Sequence, residues 1–246
     1  MADAPATKPD GTPLVEPTWG LGDAVAGWLI AFVFSQIALA IIVVAAGYTH
    51  VKSADWPLWL VAISEVPLWF GLVGAPVYAA RVKGNGLRID FGLKAKLVDL
   101  PIGAVVGLAS QFLLVPAVSW LWVVILRRHL SDLNEVAKNL TDKAHHSPGG
   151  VVLLVLIVVI GAPIVEELFY RGLLLRALER RVGNGWAVVW CGLIFGASHF
   201  ELLQLPALAV FGMVLAVLAQ RSGRLGPSIF AHMAFNGVTV FALLAR

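Results

Sequence analysis

Apolar residues come in seven long runs separated by short polar stretches. The runs cover about 23–48, 56–80, 100–126, 151–178, 186–200, 202–220 and 225–245. Most of them reach the roughly 20 residues that a helix rising ~1.5 Å per residue needs to cross a bilayer. The fifth is short by that measure. None shows the two-residue alternation of a membrane barrel strand. The pattern predicts an all-α polytopic membrane protein, a bundle of seven transmembrane helices. An eighth, weakly marked span in the stretch 127–150 would reverse the end of the topology. Gly161-Ala162-Pro163 predicts a break in the fourth run, because proline removes a helix hydrogen bond and bends the axis. The pairs Gly103/Gly107 and Gly192/Gly196 predict close helix packing. Trp56, Trp120, Trp122 and Trp186 near run ends fit an interfacial belt.

Composition narrows the picture. The chain is 59% hydrophobic and 13% charged, whereas charged residues make up about a quarter of a soluble domain. Residues 1–20 are rich in proline, alanine and acidic groups, with no basic stretch running into an apolar core. They read as a disordered tail and not as a signal peptide. Residues 21–246 then form a single integral-membrane domain whose motif-bearing core is 151–246. The lone cysteine, Cys191, allows no intrachain disulfide and no cysteine-ligated metal site.

The net charge of +3 is small, and the basic residues read as topology signals in loops, with no nucleic-acid surface. Arg81, Lys83, Arg88, Lys94 and Lys96 follow the second run, Arg176, Arg180 and Arg181 the fourth, and Arg221 and Arg224 the sixth. Seven spans put these loops on one face, expected to be cytoplasmic, in the cell membrane. The stretch 127–150 mixes both signs. Ser131 reads as the N-cap of a surface helix there, and His145-His146 as solvated loop residues.

The fourth run is interrupted by Glu166, Glu167 and Arg171. Each such charge opposes insertion at a membrane centre by roughly 2.5–3.5 kcal/mol, and three together by about 8–10 kcal/mol when unpaired. Intramembrane ionisable groups are therefore functional candidates. Glu167 and Arg171 share a helix face at a spacing of four, while Glu166 points about 100° away. His199 ends the fifth run, and His232 and Asn236 lie one turn apart in the seventh. Counted from the basic face, Glu166 lies roughly 15 Å deep, His199 20 Å, His232 10 Å and Asn236 16 Å. Three helices can thus converge on one site. A carboxylate stripped of water is a stronger base, an imidazole can hold a proton, and histidine and asparagine can donate to an oxyanion. That set suits peptide-bond hydrolysis.

In order, Glu166-Glu167 to Arg171, Phe195 to His199, and His232 to Asn236 spell E-E-x-x-x-R, F-x-x-x-H and H-x-x-x-N. This resembles the CPBP family of intramembrane proteases, the CAAX-processing and bacteriocin-processing enzymes also called the Abi family. The resemblance covers residues 163–236. By analogy with the Ras-converting CAAX endopeptidase branch, it implies that Glu166 activates water with the help of His199. It implies that His232 and Asn236 form the oxyanion hole, with Glu167, Arg171 and Phe195 in support. The implied substrate is a membrane-associated protein or peptide, of CAAX type or leader type, met within the lipid bilayer. No cofactor is expected. A divalent metal such as zinc is left open by the two glutamates and two histidines, although the spacing is not H-E-x-x-H.

Simpler readings stand beside these. Glu167 and Arg171 make a structural ion pair but leave Glu166 alone. His199 reads also as an interfacial residue, and His232 with Asn236 as interhelical hydrogen-bond glue. A proton-coupled transporter would use the same residue types, though no internal repeat is visible. A non-catalytic scaffold or immunity protein of the same fold is the third class. Glu65 is a further intramembrane acid with no assigned role.

Overall fold

The computed structural model describes residues 7–8, 11–127, 135–144 and 148–245. Ser131 and the His145-His146 pair lie outside the described residues. Among the described residues, six helices are long and apolar enough to cross a bilayer: α1 (Leu21–Ala46), α2 (Leu58–Val82), α3 (Asp99–Leu126), α5 (Pro148–Val182), α7 (Leu205–Ser222) and α8 (Gly226–Leu244). Two shorter helices are α4 (Glu135–Ala144) and α6 (Asn184–Ala197), and single helical turns form at Ser53–Asp55 and Leu87–Asp90. The fifth apolar run is α6, whose 14 residues reach only ~21 Å, short of a ~30 Å hydrocarbon core. The stretch after α3 holds the ten-residue α4, where an eighth span was the alternative.

The basic loops meet at one end of the bundle, as the charge pattern requires. Lys83, after α2, pairs with Asp23 at the start of α1 at 2.6 Å. Arg180 near the end of α5 donates to the Trp19 carbonyl at 2.8 Å. Arg224, between α7 and α8, grips Asp99 at the start of α3 through its Nε and Nη2 atoms. From the segment expected to be a tail, Thr18 donates its N–H to Lys83 and Trp19 is buried edge-on against Phe91.

Lipid offers no hydrophobic reward for helix contact, so association rests on close fit and on hydrogen bonds. The glycine pairs supply the fit. A Cβ at Gly103 would strike Phe230 and Ala231 of α8, and one at Gly192 would strike Met213 and the Ala209 carbonyl of α7. Large apolar side chains such as Ile30, Phe70 and Leu113 point outward instead.

Candidate active site

α5 does not break at Pro163. From Val155 to Gly161 its backbone widens into π-type turns, and Ala162 donates its N–H to the carbonyl of Ile157, five residues back. The next step of that ladder would join residue 163 to Val158. Proline has no N–H to give, and Asn236 of α8 supplies the donor, its Nδ2 lying 2.8 Å from the Val158 carbonyl. Widened turns absorb a proline without cutting the helix, and they recur at functional sites. The same device appears in α3, where the π-type turns Ser110–Leu114 precede Pro116.

A second widened stretch, Glu167–Leu174, is buried along its whole length. Glu167 and Arg171 are both 0% exposed and pair at 2.8 Å. Arg171 also donates to the Gly212 carbonyl of α7 at 3.1 Å. Its guanidinium stacks 4.2 Å over the Phe195 ring of α6, a contact that favours arginine over lysine. One arginine thus ties three helices together.

His232 of α8 stands between the two glutamates. Its Nδ1 is 3.1 Å from Glu167 Oε1, and its Nε2 is 3.9 Å from Glu166 Oε2. A carboxylate paired with arginine only accepts hydrogen bonds, so Nδ1 carries the hydrogen and Nε2 faces Glu166. Glu166 Oε2 is buried and has no hydrogen-bond partner. Unpartnered buried carboxylate oxygens are rare because they forfeit solvation without return. Here the orphan oxygen faces an imidazole nitrogen.

His199 lies just past the end of α6. Its Nδ1 is 2.8 Å from the Phe195 carbonyl, which can only accept, so Nε2 is left as the free ring nitrogen. Its ring is exposed and sits 4.8 Å from the Phe195 ring, which in turn lies 5.7 Å from His232. Phe200, the next residue, takes a left-handed backbone with φ 56°. Among the described residues no ion pair joins His199 to either glutamate. The structure therefore gathers Glu166, Glu167, Arg171, Phe195 and His232, with Asn236 one turn along α8. His199 joins them through Phe195, and the imidazole beside Glu166 is that of His232.

Sequence reasoning passed over Tyr170 and Ser198. Trp28 donates to Tyr170 Oη at 3.3 Å, Tyr170 donates to Ser198 Oγ at 2.8 Å, and Ser198 donates to the Phe195 carbonyl at 2.8 Å. This chain anchors the end of α6, and so His199, to α5 and α1. A tyrosine inside the charged motif and a serine beside the histidine were the available signals. Among the described residues no three histidine, cysteine or acidic side chains are grouped as ligands, and the Arg171 charge already occupies Glu167.

Comparison with known proteins falls on the same helices. The family model described as type II CAAX prenyl endopeptidase Rce1-like matches residues 148–238. The chain is 31% identical over 94 residues to "Putative membrane peptidase YdiL" of Bacillus subtilis (strain 168). The aligned part is 38% of this chain and 38% of that protein, so the chain spans about two fifths of the length of the curated relative it matches. No solved structure matches. The chain is an integral membrane protein of all-α architecture, and its likeness to the CPBP intramembrane proteases, read from three short motifs, is shown over residues 148–238.

Proposed function

We propose that the protein is an intramembrane endopeptidase acting on a membrane-associated protein or peptide, of CAAX type or leader type. The observation that carries this reading is the orphan oxygen of Glu166, buried and facing the Nε2 of His232. Glu166 takes a proton from water as the water oxygen attacks the scissile carbonyl carbon. The second amide hydrogen of Asn236 donates to the resulting oxyanion, and Nε2 of His232 does so in the doubly protonated form, with Nδ1 still held by Glu167. The carbon–nitrogen bond then breaks, and the leaving amine receives the proton that Glu166 took. The exposed His199 presents Nε2 as the group that shares this proton on the open side. Arg171 holds Glu167 in place and does not touch the reacting atoms. No metal takes part in this scheme. Residues 21–246 act as one membrane domain, in the cell membrane.

The test is cleavage of a panel of prenylated CAAX peptides and apolar leader peptides by the purified full chain in neutral detergent. Glu166→Gln is expected to lower the rate by about 10³-fold, within the usual worth of a general base. His199→Ala is expected to lower it less. Cleavage by both variants at the parent rate would end this reading. Full retention of activity in a strong chelator is expected.

A further inference from the structure

Away from the motif residues, a cavity of about 460 Å³ opens among α1, α2 and α4, at the end of the bundle opposite the basic loops. Its walls are largely apolar, with Leu39, Val61 and Leu68 among them. Gln36 brings an amide with both donor and acceptor atoms to it, and two serines bring acceptors only. Ser35 donates its hydroxyl hydrogen to the Phe32 carbonyl at 2.7 Å, and Ser64 donates its own to Leu60 at 2.7 Å. Each hydroxyl has spent its single hydrogen on its own helix and offers the cavity only lone pairs. Glu65, next to Ser64 and one turn from Trp69 on α2, lines the same cavity. Among the described residues no cation pairs with it.

The mouth differs. Asn139 is tied to the Ala54 carbonyl at 3.2 Å. Lys143, partly buried there, is pulled below the ordinary lysine pKa by desolvation, against the attraction of Asp55. Lys143 does not serve as the counter-ion of Glu65. The cavity also bears on the motif residues. Leu68 lines it and packs against the core that holds α5.

Two acceptor hydroxyls, an amide and a carboxylate without a cation, set among apolar walls, fit a hydrogen-bond donor that carries positive charge on an apolar stem. We propose that this cavity receives a lysine or arginine side chain of the peptide substrate, with Glu65 as its ion-pair partner. The inference rests on the endopeptidase reading and adds a specificity residue to it. An amine-bearing lipid headgroup shares the chemistry, and the test separates the two.

The probe is a fluorescent apolar decapeptide with one central lysine, compared with its norleucine counterpart. It is titrated into the full chain carrying Glu166→Gln, which stops turnover. In phosphatidylcholine nanodiscs the lysine peptide is expected to bind about tenfold tighter, the worth of one charge-assisted hydrogen bond. Adding Glu65→Gln closes that gap, and Glu65→Asp keeps part of it. A gap that survives Glu65→Gln, or that never exists, overturns the proposal. So does loss of the gap when phosphatidylethanolamine replaces phosphatidylcholine, which assigns the cavity to lipid. A photoreactive residue beside the lysine reports without any change at position 65: attachment within residues 35–68 is expected, and attachment confined to α6–α8 overturns the assignment. Lysine-dependent binding without cleavage by the unaltered protein sinks the peptidase reading and leaves the cavity assignment standing. Cleavage indifferent to lysine at every offset sinks the cavity alone.

Discussion

Helices α1 and α8 are both apolar along their length, yet 11% of the most apolar window of α1 is buried inside the protein and 39% of that of α8. Ile30, Ile37, Ile41 and Val44 of α1 face outward, where any greasy side chain serves. On α8 nearly every inward position has a specific neighbour. Ala231 lies against Gly103 and Gly107 of α3, His232 against Glu167, and Asn236 against Val158. The contrast extends to the whole molecule. The outward faces of α1 to α3 supply a lipid-facing shell, while the polar contacts of α5 to α8, with the glycine face of α3, form a close-fitted core. The matched segment, 148–238, takes in those polar contacts. Composition alone is enough to build the shell, and the core needs particular residues in register.

Substitutions can break or sharpen this contrast, and we take them from the largest expected effect down. Arg171→Ala strands the Glu167 carboxylate with no cation and unties α7 and α6 as well. A loss of about 3–5 kcal/mol is expected, read as a collapse of thermal stability in detergent. Arg171→Lys recovers part of it without the stacking on Phe195. A near-normal melting temperature for Arg171→Ala would show that the core pair is dispensable. Gly192→Val comes next. Its side chain meets the Ala209 carbonyl and Met213, and overpacking of this kind costs about 1–3 kcal/mol. The same exchange at Gly74, which has nothing within reach of a Cβ, is expected to be nearly silent.

Asn236→Ala removes the donor to Val158 and is expected to cost about 1 kcal/mol, the scale of interhelical hydrogen bonds in membranes. Pro163→Ala restores a backbone N–H next to the same carbonyl. In that background Asn236→Ala is expected to cost less, so a double-mutant cycle reads the coupling directly. Strictly additive effects would show that the two residues do not share the Val158 carbonyl. Smallest of all, Ile41→Ala in the shell is expected to stay within about 0.5 kcal/mol. A change as large as that of Gly192→Val would remove the distinction between shell and core.

Much of this was legible in the chain. The spans follow from unbroken apolar runs, and their ends from charge. The glycine pairs announce close helix packing, because small residues at a spacing of four favour it in a membrane, and the structure supplies α8 and α7 as the partners. Glu167 and Arg171 meet as their spacing demands. What could not be read depends on backbone detail and on which helices become neighbours. Helical periodicity assumes 3.6 residues per turn, and the widened stretches around Val155 and Glu167 break that assumption. They explain why Pro163 leaves α5 whole. The choice of His232 over His199 as the imidazole beside Glu166 is a matter of helix rotation, which depth estimates do not contain. The cavity at Glu65 is built by three elements far apart in sequence, and no local pattern marks it.

The lacing of the bundle carries one more consequence. The contact ion pairs Lys83–Asp23, Arg176–Glu179 and Arg224–Asp99 all sit at the basic end. Across the opposite end, Asn139 with Ala54 and Trp122 with Leu202 are neutral hydrogen bonds. Mobile ions screen exposed charges over a Debye length of ~8 Å at physiological ionic strength and leave neutral contacts alone. Added salt therefore weakens first the most exposed of these pairs, Lys83–Asp23, at the basic end. The buried Glu167–Arg171 pair at mid-membrane, shut away from the electrolyte, keeps its grip while the loops beyond it slacken.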